Sequence, residues 1–154
     1  MKTLLIALSL FTAPTLALAC AEHEKSAKKP YGEVGLDALA ALTTTSTGAV
    51  IVDVNKAERY ALGHIPGAVH MLVLDGKLTG AALPVEKTTS LVFYCYNEQC
   101  GACHSGAEAA VALGYLNVSV YTGGIMGWQK AGKPVEATSG TAMPVAAPPV
   151  KGEG

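Results

Sequence analysis

Large aromatic side chains are scarce in this chain of 154 residues: one Trp and two Phe stand beside six Tyr. That excludes a stacking platform for single-stranded nucleic acid, which needs several rings along a basic groove. Charge is scarce too. Charged residues make up 15% of the chain and nearly cancel, leaving a formal net charge of −1. No polyanionic partner is therefore implied. Cysteine is limited to four residues, but three of them, Cys95, Cys100 and Cys103, are gathered in one short stretch. Long apolar runs are missing as well. The apolar segment at residues 4–18 is interrupted by Ser9, Thr12, Pro14 and Thr15 and is too short for a membrane span.

What is present suits one domain with a real core and not two. Residues 1–21 read as a targeting segment. Lys2 supplies the positive start, and Ala17-Leu18-Ala19 and Ala19-Cys20-Ala21 fit small-x-small cleavage. The expectation is a periplasmic or secreted product, in a compartment where cysteine pairs close to disulfides. The alternative is a membrane-anchored lipoprotein, because Leu16-Ala17-Leu18-Ala19-Cys20 resembles a lipoprotein box. Contact with a membrane then depends on lipidation of Cys20. Residues 22–30 are charged and read as a linker. Residues 137–154, rich in Ala, Pro and Gly, read as a disordered tail.

Between them, residues 31–136 alternate helix and strand patterns. Leu36, Leu39 and Leu42 have helical spacing. Ala49-Val50-Ile51-Val52-Asp53-Val54 is a continuous apolar run, as in a strand covered on both faces. A short helix is expected over 56–62, closed by Gly63, then a turn at His64-Ile65-Pro66-Gly67 and a strand at 68–71. Residues 72–89 are poorly patterned, with turn signals at Asp75-Gly76 and Thr79-Gly80. Strands are expected at 91–94 and 117–121, and helices at 105–113 and 125–130. This order implies an α/β domain with a mostly parallel sheet, in which ligands collect at the carboxyl ends of strands. Asp53 and Cys95 both sit at such ends.

The stretch after the strand at 91–94 carries the chemistry: Cys95-Tyr96-Asn97-Glu98-Gln99-Cys100-Gly101-Ala102-Cys103-His104-Ser105. A cysteine between a buried strand and a helix faces backbone N–H groups and the positive end of a helix dipole. Both stabilise a thiolate.

Three motifs in order resemble the rhodanese family. Asp53-Val54, Glu58 and Gly63-His64-Ile65-Pro66-Gly67-Ala68 match its N-terminal motif. Tyr94-Cys95 falls where the family places its catalytic cysteine, with Ser105, Ala109, Ala110 and Gly114 on the helix behind. Gly123-Gly124-Ile125, Gly127-Trp128 and Gly132-Lys133-Pro134-Val135 match its C-terminal motif. The resemblance runs from about Tyr31 to about Glu136. It implies a small α/β fold with a mostly parallel, five-stranded sheet flanked by helices. It also implies sulfane sulfur transfer from a small sulfur donor, through a cysteine persulfide, to a thiol or other thiophilic acceptor. Cys95 is then the nucleophile, residues Tyr96 to Ser105 form the active-site loop, and Asp53 and His64 support it. No cofactor and no metal are expected.

The chain departs from the family in two places. Family loops often carry arginines that hold an anionic donor; this loop has none and contains Glu98. The span from Cys95 to Ser105 is also long, and counting back from Ser105 lands beside Cys100, the rival nucleophile. Other readings remain open. Cys100-Gly101-Ala102-Cys103-His104 spells a c-type haem attachment motif, with His104 as one axial ligand and Met71, Met126 or Met143 as the second, in an electron carrier. Cys95, Cys100 and Cys103 echo an iron–sulfur spacing that lacks a fourth partner apart from Cys20. A zinc or copper site with His104 is crowded. Cys100 or Cys103 can gate sulfur transfer by disulfide formation. A rhodanese fold that has lost catalysis and serves as a binding module is the last alternative.

Overall fold

The structure is a computed structural model that describes residues 29–138. The leader, Cys20, most of the linker and most of the tail lie outside the described residues. The elements run β1 (Gly32–Glu33), α1 (Leu36–Thr44), β2 (Val50–Asp53), α2 (Ala57–Leu62), β3 (Val69–Leu74), β4 (Lys77–Gly80), β5 (Ser90–Tyr94), α3 (Ala102–Ala112), β6 (Asn117–Tyr121) and α4 (Gly124–Lys130). The six strands form one sheet in the order β1-β6-β5-β2-β3-β4. All neighbours are parallel except β3 and β4. The resemblance implied five strands; the sheet has six. The two that the sequence pattern did not mark, β1 and β4, are its edges. β1 is only two residues long. β4 returns from β3 through Asp75 and Gly76, both at positive φ (49° and 71°), which is the backbone of a tight hairpin.

The central strands are buried on both faces, which is why they read as continuous apolar runs. Side chains alternate along a strand, so each strand feeds two cores. Val52, Val54, Leu91, Phe93, Cys95, Val118 and Val120 face α3, which contributes Cys103, Ala107 and Ala110. Ile51, Val92, Tyr94 and Tyr121 face the other way, toward Leu39, Ile65, Ile125 and Trp128. Helix α3 can lie close to the sheet because it presents small residues. At Gly106 even one added methyl group would meet the Phe93 ring at 2.8 Å.

Helix boundaries moved in one consequential place. The sequence pattern predicts a helix from residue 105, but α3 begins at Ala102. Its first turn therefore includes Cys103 and His104. Gly101 offers no capping side chain, so the usual start signal is missing. Among the described residues, no helix is long and apolar enough to cross a membrane.

Candidate functional site

Strand β5 ends at Tyr94, and the alternation continues one residue further. Cys95 therefore points to the α3 face and Tyr96 to the opposite one. On the α3 face, Cys95 meets Cys103 in the first turn of the helix. Both are buried, at 0% and 1% exposure, while Cys100 on the connecting turn is half-buried. All three are free thiols. The Cys95 thiol lies 3.0 Å from the Cys100 carbonyl oxygen and 3.9 Å from that of Asn97. The Cys103 sulfur lies 3.8 Å from the same Cys100 oxygen. The two buried sulfurs thus converge on one carbonyl oxygen.

This arrangement polarises the pair. The neighbouring Cys103 sulfur and burial both push the Cys95 pKa up, against smaller opposing contacts from the Cys100 side chain and the Cys103 N–H. Cys103 moves the other way. The S–H of Cys95 favours its thiolate, the His104 N–H and its own N–H add to that, and burial and Cys100 oppose it. Two sulfurs in contact in a low-dielectric site cannot both ionise, so the first proton leaves easily and the second is held. The Cys103 N–H acts on Cys95 in the expected sense, toward the thiolate, but is outweighed by the neighbouring Cys103 sulfur and by burial. The thiolate-stabilising contacts gather on Cys103, because α3 starts early and brings its first N–H groups to that sulfur.

The loop is seated from the other side by α4. The Ile125 N–H donates to the Cys95 carbonyl at 2.9 Å, and the Met126 N–H donates to the Tyr96 carbonyl at 3.0 Å. Such an approach requires glycine at 124. Its φ is +61°, and an added Cβ would lie 2.5 Å from the Tyr96 carbonyl carbon and oxygen. The Gly123-Gly124-Ile125 motif is therefore the cradle for the backbone around Cys95.

Asp53 and His64 do not touch the thiols. Both lie toward the other side of the sheet. Asp53 is 1% exposed; one oxygen accepts from the Asn55 N–H and side-chain amide, both at 2.7 Å, and the other from the Tyr94 hydroxyl at 2.7 Å. That hydroxyl also accepts the Ile65 N–H at 3.0 Å. Burial raises the Asp53 pKa despite these hydrogen bonds. His64 Nδ1 bonds to the Tyr60 carbonyl at 2.9 Å, and its ring stacks on Tyr60. Both residues fix the strand ends beneath the loop.

The remaining loop residues lie around the buried pair. Glu98, Gln99, Gly101 and Ser105 are exposed, while Tyr96, Asn97, Ala102 and His104 are half-buried. The Asn97 side chain caps the turn by accepting the Gln99 N–H at 3.2 Å. His104 Nδ1 is met by the Tyr31 hydroxyl at 3.1 Å and by the Lys29 ammonium at 3.3 Å. Sequence reasoning missed two cations. Lys29 reaches the loop at His104. The chain's single arginine, Arg59 on α2, lays its guanidinium 3.7 Å over the Tyr96 ring. Positive charge absent from the loop in sequence is thus supplied to its flanks in space. A hollow of about 750 Å³ lined by Leu42, Ser90, Leu116 and Asn117 opens where β5 and β6 begin, and Lys29 and Tyr31 also line it.

The haem motif does not fit this geometry. Thioether attachment needs both sulfurs presented beside a haem, and Cys103 is inside the core between α3 and the sheet. No group of three or more His, Cys, Asp or Glu side chains among the described residues is arranged to hold a metal ion.

Comparison with known proteins agrees with the topology. Residues 36–131 match the family described as rhodanese-like domain. A protein from Bacillus halodurans superposes with a TM-score of 0.60 at 26% identity, over 72% of this chain and 80% of its own. A human single-domain sulfurtransferase gives 0.53 at 26% identity, over 64% of this chain and 95% of its own. A thiosulfate sulfurtransferase from Pseudomonas aeruginosa gives 0.56 at 23% identity, over 77% of this chain and 22% of its own, a likeness of fold alone.

Proposed function

Because the chain belongs to the rhodanese-like domain family, we propose that it is a sulfurtransferase in which Cys95 carries sulfane sulfur as a persulfide. The observation that carries this reading is the buried Cys95–Cys103 pair, whose sulfurs lie 3.0 Å and 3.8 Å from one Cys100 carbonyl oxygen, set between the carboxyl end of β5 and the start of α3. In this reading the Cys103 thiolate, beside Cys95 on the same Cys100 carbonyl, is the base that takes the Cys95 proton. The Cys95 sulfur, freed of its proton, attacks the outer sulfur of the donor. With thiosulfate as donor, the sulfur–sulfur bond of thiosulfate breaks, sulfite leaves, and Cys95 holds the added sulfur. Lys29 and Arg59 at the flanks of the loop favour an anionic donor. Both sulfurs lie beneath the turn from Tyr96 to Gly101, so sulfur entry requires that turn to lift. The leader read in residues 1–21 makes this an exported enzyme as part of the same proposal.

The test is intact mass spectrometry of the full chain after incubation with thiosulfate, before and after cyanide. The expected result is release of sulfite with one added sulfur atom at the earliest times, removable by cyanide, and Cys95→Ser abolishes both. A chain that releases no sulfite from thiosulfate and acquires no sulfur from a small-molecule persulfide, even transiently, overturns the reading and leaves a non-catalytic binding module.

A further inference from the structure

The placement of Cys103 says what becomes of the sulfur once it is on Cys95. A persulfide is discharged by attack on one of its two sulfurs. An acceptor from solution must reach the site, yet Cys95 and Cys103 are 0% and 1% exposed. Cys103 needs no approach. Alternation along β5 turns Cys95 to the α3 face. On α3 the buried stripe of Cys103, Gly106, Ala107 and Ala110 turns Cys103 back to the sheet. The two sulfurs contact the same Cys100 carbonyl oxygen, at 3.0 Å and 3.8 Å. Thiol exchange proceeds by attack of one sulfur on another, and this shared oxygen holds the two sulfurs side by side.

From this we infer that Cys103 resolves the Cys95 persulfide internally, so that the protein reduces sulfane sulfur to hydrogen sulfide and is left with a Cys95–Cys103 disulfide. The inference rests on the sulfurtransferase reading above and names the product of that site. The step balances. The Cys95–S–S⁻ persulfide reacts with the Cys103 thiol. A bond forms between the Cys103 and Cys95 sulfurs, and the bond from Cys95 to the outer sulfur breaks. The outer sulfur leaves as HS⁻ with the proton that Cys103 took from Cys95. The sulfane sulfur gains two electrons from the two cysteines, which become the disulfide. A second turnover requires an external dithiol, which is oxidised as it restores both thiols. Burial favours this outcome over transfer to a bulky acceptor, because the species that leaves is one small anion.

The test uses the full-length protein, reduced, freed of reductant and given excess thiosulfate. Sulfide is measured with a sulfide electrode and disulfides by peptide mapping. The expected result is one equivalent of sulfide per chain, then arrest, with a peptide linking Cys95 to Cys103; added dithiothreitol restarts release. Cys103→Ser, incubated at alkaline pH so that Cys95 loads without its base, is expected to keep a cyanide-labile sulfur and release no sulfide. The inference is overturned if the wild-type protein holds a stable cyanide-labile sulfur without releasing sulfide. It is also overturned if the mapped disulfide joins Cys100 to either partner. Wild-type stoichiometry and mapping decide the matter even if Cys103→Ser does not fold. Failure of every form to take up sulfur is a different result: it sinks the sulfurtransferase reading, and this inference with it.

Discussion

Replacing Tyr94 by Phe removes one oxygen atom and with it two buried hydrogen bonds. The Tyr94 hydroxyl donates to Asp53 at 2.7 Å and accepts the Ile65 N–H at 3.0 Å. Both residues are buried, so water does not replace it. A hydrogen bond to a charged group contributes about 1.5–3 kcal/mol, and an orphaned buried N–H costs about 1–3 kcal/mol. The expected loss at neutral pH is therefore about 3–5 kcal/mol, a large share of a small domain's stability. The loss should also depend on pH. Burial raises the folded-state pKa of Asp53, so the folded state binds more protons and stability falls as pH rises from the unfolded toward the folded pKa. The Tyr94 hydroxyl opposes that rise. Without it the folded pKa climbs further, and the variant loses more stability over the same change in pH. The difference between wild type and variant is therefore greatest above both folded values and shrinks as pH falls. Urea denaturation of both proteins at several pH values measures it. A loss below about 1 kcal/mol, or one that grows on acidification, refutes the account of this network.

Three further expectations follow from the site. Gly124→Ala should destabilise by at least about 2 kcal/mol, from the left-handed backbone alone and from the clash with Tyr96, and should lower persulfide loading. Urea denaturation measures the first effect and intact mass after thiosulfate the second. Cys103→Ser should move the ascending pH limb of persulfide formation to higher pH, because Cys95 then loses the base that accepts its proton. An unmoved limb in single-turnover kinetics removes Cys103 from that role. Arg59→Ala should raise KM for thiosulfate by roughly 5-fold, the effect of about 1 kcal/mol at an exposed charge, and the increase should fade at high salt. A neutral small-molecule persulfide should show no such change.

The fold was legible where periodicity was strong. The β6 expectation matched residue for residue, and the buried runs at β2 and β5 were clear because two apolar faces leave no alternation to misread. The edges were hidden. β1 is two residues long, and β4 owes its place to pairing with β3 rather than to its own side chains. At the site, the sequence drew attention to the right loop but missed the early start of α3. A signal was available: Cys103, Gly106, Ala107 and Ala110 have the i, i+3, i+4, i+7 spacing of a buried stripe, and that stripe includes Cys103. Arg59 had no such signal. Its contact with Tyr96 joins two distant segments, and nothing local to either residue announces it.

The position of β5 in the middle of the sheet also sets when the site comes into being. β5 is hydrogen-bonded to β2 on one side and to β6 on the other, and the loop after it is gripped by α4. As the chain is synthesised, β2 precedes the cysteines, whereas β6 and α4 follow them. The three thiols therefore emerge before the elements that bury them, and pairing with non-neighbouring strands is slow. A chain stopped before residue 117 has all three cysteines but lacks β6 and α4. Until Gly124 docks, the thiols face whatever oxidant surrounds the folding chain, so correct folding of this protein is a race between closing the sheet and misoxidation of its loop.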